Sequence, residues 1–194
     1  ITMMMDKGLS LTEVSNFIEA SGHLTDIVKF GFGTSYVTKD LKEKIKLYQD
    51  NGIRAYFGGT LFEAFHARGQ FEDYLRVLDK YNMDLAEISD GSIIINHDEK
   101  CELIRRMAKD RTVLSEVGSK DSGILISPNR WIKMMTSELE AGSWKVIAEG
   151  REAGNVGVFR PNGTAHTMLI NKIIAKVMPE DILWEAPIKN QQVW

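Results

Sequence analysis

The chain has 194 residues, of which 43% are hydrophobic and 26% charged, and its formal net charge of -3 gives no indication of a nucleic-acid or anionic-membrane partner. This length is sufficient for one sizeable hydrophobic core, so a single domain is expected. The one cysteine, Cys101, excludes an internal disulfide, and no apolar run reaches the roughly 18 to 20 residues that span a bilayer, so we expect a cytoplasmic protein.

Short apolar segments of strand length alternate with amphipathic, helix-forming segments along the chain. The first apolar segment is typical of a strand rather than a signal peptide, and Ser10 and Glu13 after it predict a capping box at the start of a helix. Gly52 is placed to end the second predicted helix, and Ser127 with Pro128 is placed to begin the fifth. The predicted strands are residues 2–5, 26–30, 54–57, 84–88, 112–115, 144–148 and 182–184, with six helices between them.

This alternation predicts a parallel sheet built from strand–helix–strand units, which a doubly wound sheet and a closed barrel both satisfy. A dinucleotide-binding sheet is disfavoured because Asp6-Lys7-Gly8 stands where the glycine fingerprint G-x-G-x-x-G is expected. We therefore predict an α/β fold of the (β/α)8 TIM-barrel type, as a single domain over residues 1–194. A complete barrel has eight strands and typically about 250 residues, so we expect a sequence truncated at both ends, without strand eight and the flanking terminal segments.

Acidic residues follow most of the predicted strands. The C-terminal strand ends build the active site of a barrel, and carboxylates from several strands provide the oxygen ligands that a hard cation such as Mg²⁺ prefers. The four histidines and Cys101 show no zinc-type spacing. Each acid taken singly is explained equally well as the salt-bridge partner of a lysine. The candidate metal ligands are Glu87, Glu116 and Glu149, with Asp6 or Asp90 nearby.

Basic residues and glycine-rich turns stand among these acids. Together with a metal ion, they suit a small anionic substrate that carries a phosphate. Backbone N–H groups in the turns 31–35 and 58–60, each near a helix start, offer an oxyanion site, although a simple tight turn explains Gly58-Gly59 equally well. Lys29 lies inside a strand, which favours a functional role. The candidate substrate-binding and basic residues are Lys7, Lys29, Lys120, Arg151, Gly33, Thr34, Gly59, Thr60 and Ser89.

The same turn sequences resemble the phosphosulfolactate synthase family, in order from the first strand to the last residues. The blocks that carry the resemblance are Met5-Asp6-Lys7-Gly8, Val28-Lys29-Phe30-Gly31-Phe32-Gly33-Thr34-Ser35, Gly58-Gly59-Thr60-Leu61-Phe62-Glu63, Glu87-Ile88-Ser89-Asp90-Gly91, Glu116-Val117-Gly118-Ser119-Lys120, Glu149-Gly150-Arg151-Glu152 and Glu185-Ala186-Pro187 with Gln191-Gln192. Several of these blocks are long enough to be specific.

The resemblance implies a magnesium-dependent enzyme that adds sulfite to phosphoenolpyruvate and forms (R)-2-phospho-3-sulfolactate. It also implies a (β/α)8 barrel and a homo-oligomer such as a trimer. Lys120 matches the proton donor proposed for the family, and we place Lys29 and Glu116 beside it as catalytic candidates.

Two alternatives stay open beside this interpretation. One is another magnesium-dependent, enolate-forming barrel enzyme, such as an aldolase or isomerase acting on a phosphorylated acid. The other is a non-catalytic relative of the kind found in plants as a heat-stress protein. The second is disfavoured because the strand-end acids Glu87, Glu116 and Glu149 and the lysine Lys120 are all present.

Overall fold

The computed structural model describes residues 1–119, 126–151 and 153–194, which fall within two compact units, Ile1–Glu87 and Ile88–Trp194. Its strands are β1 (Met3–Asp6), β2 (Ile27–Phe30), β3 (Arg54–Phe57), β4 (Leu85–Ile88), β5 (Thr112–Val117), β6 (Lys145–Ala148) and β7 (Ile182–Trp184). Its α-helices are α1 (Leu11–Ser21), α2 (Thr34–Val37), α3 (Leu41–Asp50), α4 (Gly59–His66), α5 (Phe71–Lys80), α6 (His97–Met107), α7 (Pro128–Glu140), α8 (Thr167–Ile174) and α9 (Lys189–Val193).

The strands form two sheets, in the orders β1-β2-β3 and β4-β5-β6-β7. Pairing is parallel from β1 to β3 and from β5 to β7, as helical connections between successive strands require. The predicted parallel α/β architecture is therefore confirmed, with the strands grouped into two sheets over the described residues. None of the helices in this part of the chain has the length and apolar character needed to cross a lipid bilayer.

The core of the first unit is rich in aromatic side chains. Phe30 of β2 packs edge-on against Tyr48 of α3, with ring centroids 6.1 Å apart, and lies 6.0 Å from Phe57 of β3. Phe62 of α4 packs edge-on against Tyr74 of α5, with ring centroids 5.7 Å apart. Burial of these rings stabilises the contacts between the helices and the sheet, because each ring removes a large apolar area from water.

The core of the second unit lies between β6 and the helices that follow β5 and β6. Val146 and Ala148 of β6 are fully buried, and they belong to one apolar cluster with Trp131 of α7 and Ile170 and Ile173 of α8. A strand with little polar character is expected where neighbouring elements cover both of its faces.

The helix starts follow the sequence signals, whereas some element bounds differ from the prediction. Ser10 caps α1 in a capping box with Glu13, and Ser127 caps α7 with Pro128 in its first turn, both as predicted. The turn at 58–60 is in fact the start of helix α4, and β5 continues to Val117. The predicted end of this strand was residue 115. The strand continues by two residues because Val117 is also buried in the core.

The α1 cap supports a prediction about stability. In Ser10→Ala the backbone N–H of Glu13 loses its acceptor, the Ser10 hydroxyl, so we expect the free energy of unfolding to fall by about 1 kcal/mol. Urea unfolding followed by circular dichroism measures this change. The control is Ser15→Ala, within the same helix, where alanine is a better helix former and no loss is expected. Equal effects of the two substitutions would contradict the role of the cap.

Candidate functional site

Three glutamates from successive strands of the second unit meet on one face of the sheet. Glu116 of β5 lies opposite Ile147 of β6, and Glu149 follows two residues after Ile147. Leu183 of β7 also lies opposite Ile147, and Glu185 follows two residues after it. Because side chains alternate between the faces of a sheet, this register places the three carboxylates on the same face.

These three carboxylates form a compact, buried group, which we call the glutamate cluster (Glu116, Glu149 and Glu185). Each contributes an oxygen that lies within 4.8 Å of the other two. Glu149 is fully buried, and Glu116 and Glu185 are 2% and 8% exposed. Like charges buried this close repel one another, and a divalent cation offsets that repulsion. The all-oxygen donor set therefore fits a hard cation such as Mg²⁺.

Backbone amides at the end of β6 orient two members of the glutamate cluster. The N–H of Arg151 donates to Oε1 of Glu149 at 2.6 Å, and the N–H of Gly150 donates to Oε2 of Glu185 at 3.2 Å. Arg151 adopts a left-handed backbone conformation, with φ of 56°. Its exposed side chain was predicted to bind substrate, and the structure adds a second role for this residue, through its backbone.

Glycines pack directly against the glutamate cluster. Gly157 has φ of +62°, and a Cβ atom there would overlap the carbonyl oxygen of Glu149. A Cβ on Gly118 would overlap the side chain of Glu149, and one on Gly150 would lie 2.5 Å from the carbonyl oxygen of Glu185. The loop after β6 thus contacts the strand ends at a distance that only glycine permits.

A cavity of about 340 Å³ lies in the second unit. Gly157, which packs on Glu149, also lines this cavity, and Trp131 and Phe159 provide apolar walls. Ser119, the residue before Lys120, lines it as well. Lys120, the predicted proton donor, lies outside the described residues.

Two of the predicted catalytic and metal residues, Lys29 and Glu87, form an ion pair in the first unit. The Lys29 ammonium lies 3.1 Å from Oε2 of Glu87, and both side chains are buried. The other carboxylate oxygen of Glu87 accepts from the N–H of Gly59 at 2.7 Å, at the start of α4. Glu87 therefore joins β2, β4 and the 58–60 turn, and this contact engages the Gly59 amide that was predicted to bind an oxyanion.

Asp6, another predicted metal ligand, has a set of partners within the first unit. Its fully buried carboxylate accepts from the N–H groups of Gly8 and Leu9 at 2.8 and 2.9 Å and from the Tyr48 hydroxyl at 3.0 Å, and it pairs with Lys44 at 3.2 Å. Burial, together with the charge of Asp6, raises the pKa of Tyr48. In this arrangement Asp6 fixes the loop that carries Lys7.

The remaining predicted residues lie at strand ends or helix starts. Lys7 is exposed, Ser89 is buried directly after β4, and Thr60 is half-buried in the first turn of α4. Gly33 has φ of +75° and precedes α2, which begins at Thr34.

Glu185 was not predicted as a metal ligand. It follows β7 directly, as Glu149 follows β6, and this shared position is the signal that identifies it. Of the predicted ligands, the structure brings Glu116 and Glu149 together with Glu185. It places Asp6 and Glu87 in ion pairs with lysines, which was the alternative explanation for single acids.

Comparison with known sequences assigns all of residues 1–194 to the family model described as (2R)-phospho-3-sulfolactate synthase (ComA). The phosphosulfolactate synthase of Methanocaldococcus jannaschii is 40% identical over 200 residues, covering 100% of this chain and 79% of that protein. The phosphosulfolactate synthases of Methanothermobacter thermautotrophicus and Bacillus subtilis are 36% and 34% identical, covering 100% and 98% of this chain and 78% and 77% of those proteins.

Solved structures with a similar fold include two 3-hexulose-6-phosphate synthases. The enzyme from Salmonella typhimurium gives a TM-score of 0.62 at 14% identity, covering 98% of this chain and 81% of its own. The other gives a TM-score of 0.58 at 12% identity, covering 97% and 81%. At such low identity the likeness concerns the fold alone, and these neighbours are enzymes of the TIM-barrel type.

Proposed function

Because the chain belongs to the (2R)-phospho-3-sulfolactate synthase (ComA) family, we propose that it adds sulfite to phosphoenolpyruvate and forms (R)-2-phospho-3-sulfolactate, with Mg²⁺ as cofactor. Its named relatives are enzymes of this kind. We propose the (β/α)8 barrel as its complete fold, which the solved neighbours and the parallel strand order support.

The observation that carries the proposal is the glutamate cluster. Its three buried carboxylates would hold Mg²⁺ through oxygen atoms, and the amides of Gly150 and Arg151 keep two of them oriented. A bound Mg²⁺ supplies Lewis-acid stabilisation for negative charge that develops on the carboxylate of the substrate. Because these ligands are already arranged before the metal binds, less conformational entropy is lost when the site is assembled.

The addition requires one nucleophile and one proton. The sulfur of sulfite forms a bond to the methylene carbon of phosphoenolpyruvate, and the neighbouring carbon takes up a proton as the double bond is lost. We assign that proton to the ammonium of Lys120, which follows the cavity-lining Ser119 and then regains a proton from water. Arg151, which lies two residues after Glu149 and has an exposed side chain, is proposed to hold an anionic group of the substrates.

The proposal is tested by incubating the protein with phosphoenolpyruvate, sulfite and Mg²⁺ and following phosphorus by NMR. We expect the phosphoenolpyruvate signal to be replaced by that of a phosphate ester that mass spectrometry identifies as phosphosulfolactate. Omission of sulfite, or addition of a chelator, is expected to abolish the product. Absence of product under all conditions would overturn the proposed reaction, and full activity in the presence of the chelator would overturn the proposed cofactor.

A further inference from the structure

A lysine ammonium is completely buried next to β5, the strand that carries Glu116. Lys100 of α6 has no exposed surface, and its Nζ lies 2.8 Å from Oδ1 of Asp90 and 2.8 Å from Oε1 of Glu138. It also donates to the backbone carbonyl of Glu116 at 2.6 Å. Burial alone would lower the pKa of Lys100, but the charges of Glu138 and Asp90 outweigh it and raise the pKa, so the ammonium is charged at neutral pH.

Two neighbouring residues of β5, Ser115 and Glu116, accept hydrogen bonds from elements outside the strand. Lys100 is the donor to the Glu116 carbonyl oxygen. The side-chain hydroxyl of the preceding residue, Ser115, accepts from the Ser143 hydroxyl at 2.9 Å, and both serines are buried. The Lys100 contact reaches the carbonyl group bonded to the α-carbon that carries the Glu116 side chain.

We propose that Lys100 is a positioning residue for the metal centre: held by Glu138 and Asp90, it fixes the Glu116 carbonyl and so directs the Glu116 carboxylate toward Glu149 and Glu185. This inference rests on the proposed function, because it assumes that the glutamate cluster binds a divalent cation. Lys100 contacts neither the substrate nor the metal in this role, and acts through the backbone of a ligand.

The energetics of buried ion pairs favour a positioning role over a purely stabilising one. Removing two charges from water is unfavourable, and apolar residues of the same volume often give an equally stable or more stable protein. What an ammonium adds is direction, since its N–H groups donate to Asp90 and to the Glu116 carbonyl while its charge pairs with Glu138. A methionine side chain would fill the same space without holding the carbonyl.

The test separates positioning from stability with the double variant Lys100→Met/Glu138→Gln. Lys100→Met alone would leave Glu138 buried without its cation, which is strongly destabilising, whereas the double variant removes both charges. The matched control is Lys145→Met/Asp181→Asn, which removes an ion pair at the start of β6, in the same unit. Thermal unfolding establishes that each variant is folded.

Two measurements give the metal affinity. Mn²⁺ binding is followed by the loss of the free-ion signal in electron paramagnetic resonance, and Mg²⁺ affinity is taken from the Mg²⁺ concentration that gives half-maximal turnover. In the double variant we expect both metal affinities to weaken by about 10- to 100-fold, as for other residues that orient a ligand, with a smaller change in turnover at saturating Mg²⁺. The control pair is expected to keep native affinity. Asp90→Asn, which removes one anchor at a partly exposed position, is expected to shift affinity in the same direction by less.

The outcomes distinguish this inference from the proposed reaction. Native Mn²⁺ affinity in the folded double variant would overturn the positioning role, and if that variant does not fold, native affinity in Asp90→Asn would do so. A native protein that binds no Mn²⁺ would overturn both the metal centre and this inference. A native protein that binds Mn²⁺ but forms no product would overturn the proposed reaction alone.

Discussion

Glu149→Gln is expected to reduce turnover by about 100-fold or more. Glu149 is the fully buried member of the glutamate cluster, and loss of its charge weakens the proposed Mg²⁺ site, which would stabilise the negative charge that develops on the substrate. Glutamine keeps an oxygen that can accept from the Arg151 amide, so the loop geometry is retained.

A turnover measurement checks this prediction. Turnover is followed by phosphorus NMR with phosphoenolpyruvate, sulfite and Mg²⁺. The control is Glu140→Gln, on the exposed face of α7, which is expected to keep native turnover. Native turnover in Glu149→Gln would remove this residue from the site.

Gly157→Ala is expected to destabilise the protein more than an equally strained glycine substitution elsewhere. At φ of +62° any side chain is strained, which costs roughly 1–2 kcal/mol, and here the new Cβ would also overlap the Glu149 carbonyl. Relief of that overlap requires movement of the end of β6, and forced overpacking of this kind typically costs about 1–3 kcal/mol more. Since Glu149 moves with the strand end, Mn²⁺ affinity is expected to fall as well.

A matched control isolates the overlap from the backbone strain. Gly69 has a similar φ of +68°, and a Cβ there would meet no atom within 4 Å. Gly69→Ala therefore carries the strain alone, and its unfolding free energy and Mn²⁺ affinity are measured beside those of Gly157→Ala. Equal losses of stability, with native Mn²⁺ affinity in both variants, would show that close packing at Gly157 does not support the glutamate cluster.

Much of the architecture could be predicted from local sequence pattern. All seven strands lie at their predicted places, because short apolar segments covered on both faces have a composition that surface segments lack. Helix caps such as Ser10 and Ser127 were predictable for a similar reason, since a cap involves residues only three positions apart. Helix α4, which was not among the predicted helices, and the end of β5 both place buried side chains in the core, and such packing depends on distant residues.

The candidate site was predicted only in part, because position at a strand end does not determine a partner. Glu116 and Glu149 were identified from their strands, but Asp6 and Glu87 occupy the same kind of position and pair with lysines instead. Lys44 is 38 residues from Asp6 in the chain, and no short-range pattern encodes that pairing.

One signal for such pairs was present in the sequence. Lys44 lies between the apolar positions Leu41 and Ile45 of α3, on the buried face of that helix, and Lys100 lies beside Cys101 on the buried face of α6. A lysine on the apolar face of an amphipathic helix indicates a buried acidic partner, because an ammonium without one is too costly to bury. The pattern gives the lysine but not the identity of the acid.

The sequence by itself thus determined the places of the seven strands, the caps at Ser10 and Ser127 and the family, since each depends on residues close together in the chain or on similarity along its length. Only the tertiary structure decided which acids form the glutamate cluster and which are paired with lysines. Strand register and long-range contacts bring Glu185 to Glu116 and Glu149, and Lys44 to Asp6. The physical reason is burial: the charge of a carboxylate that is removed from water has to be offset by a cation within a few ångströms, either a lysine or a metal ion.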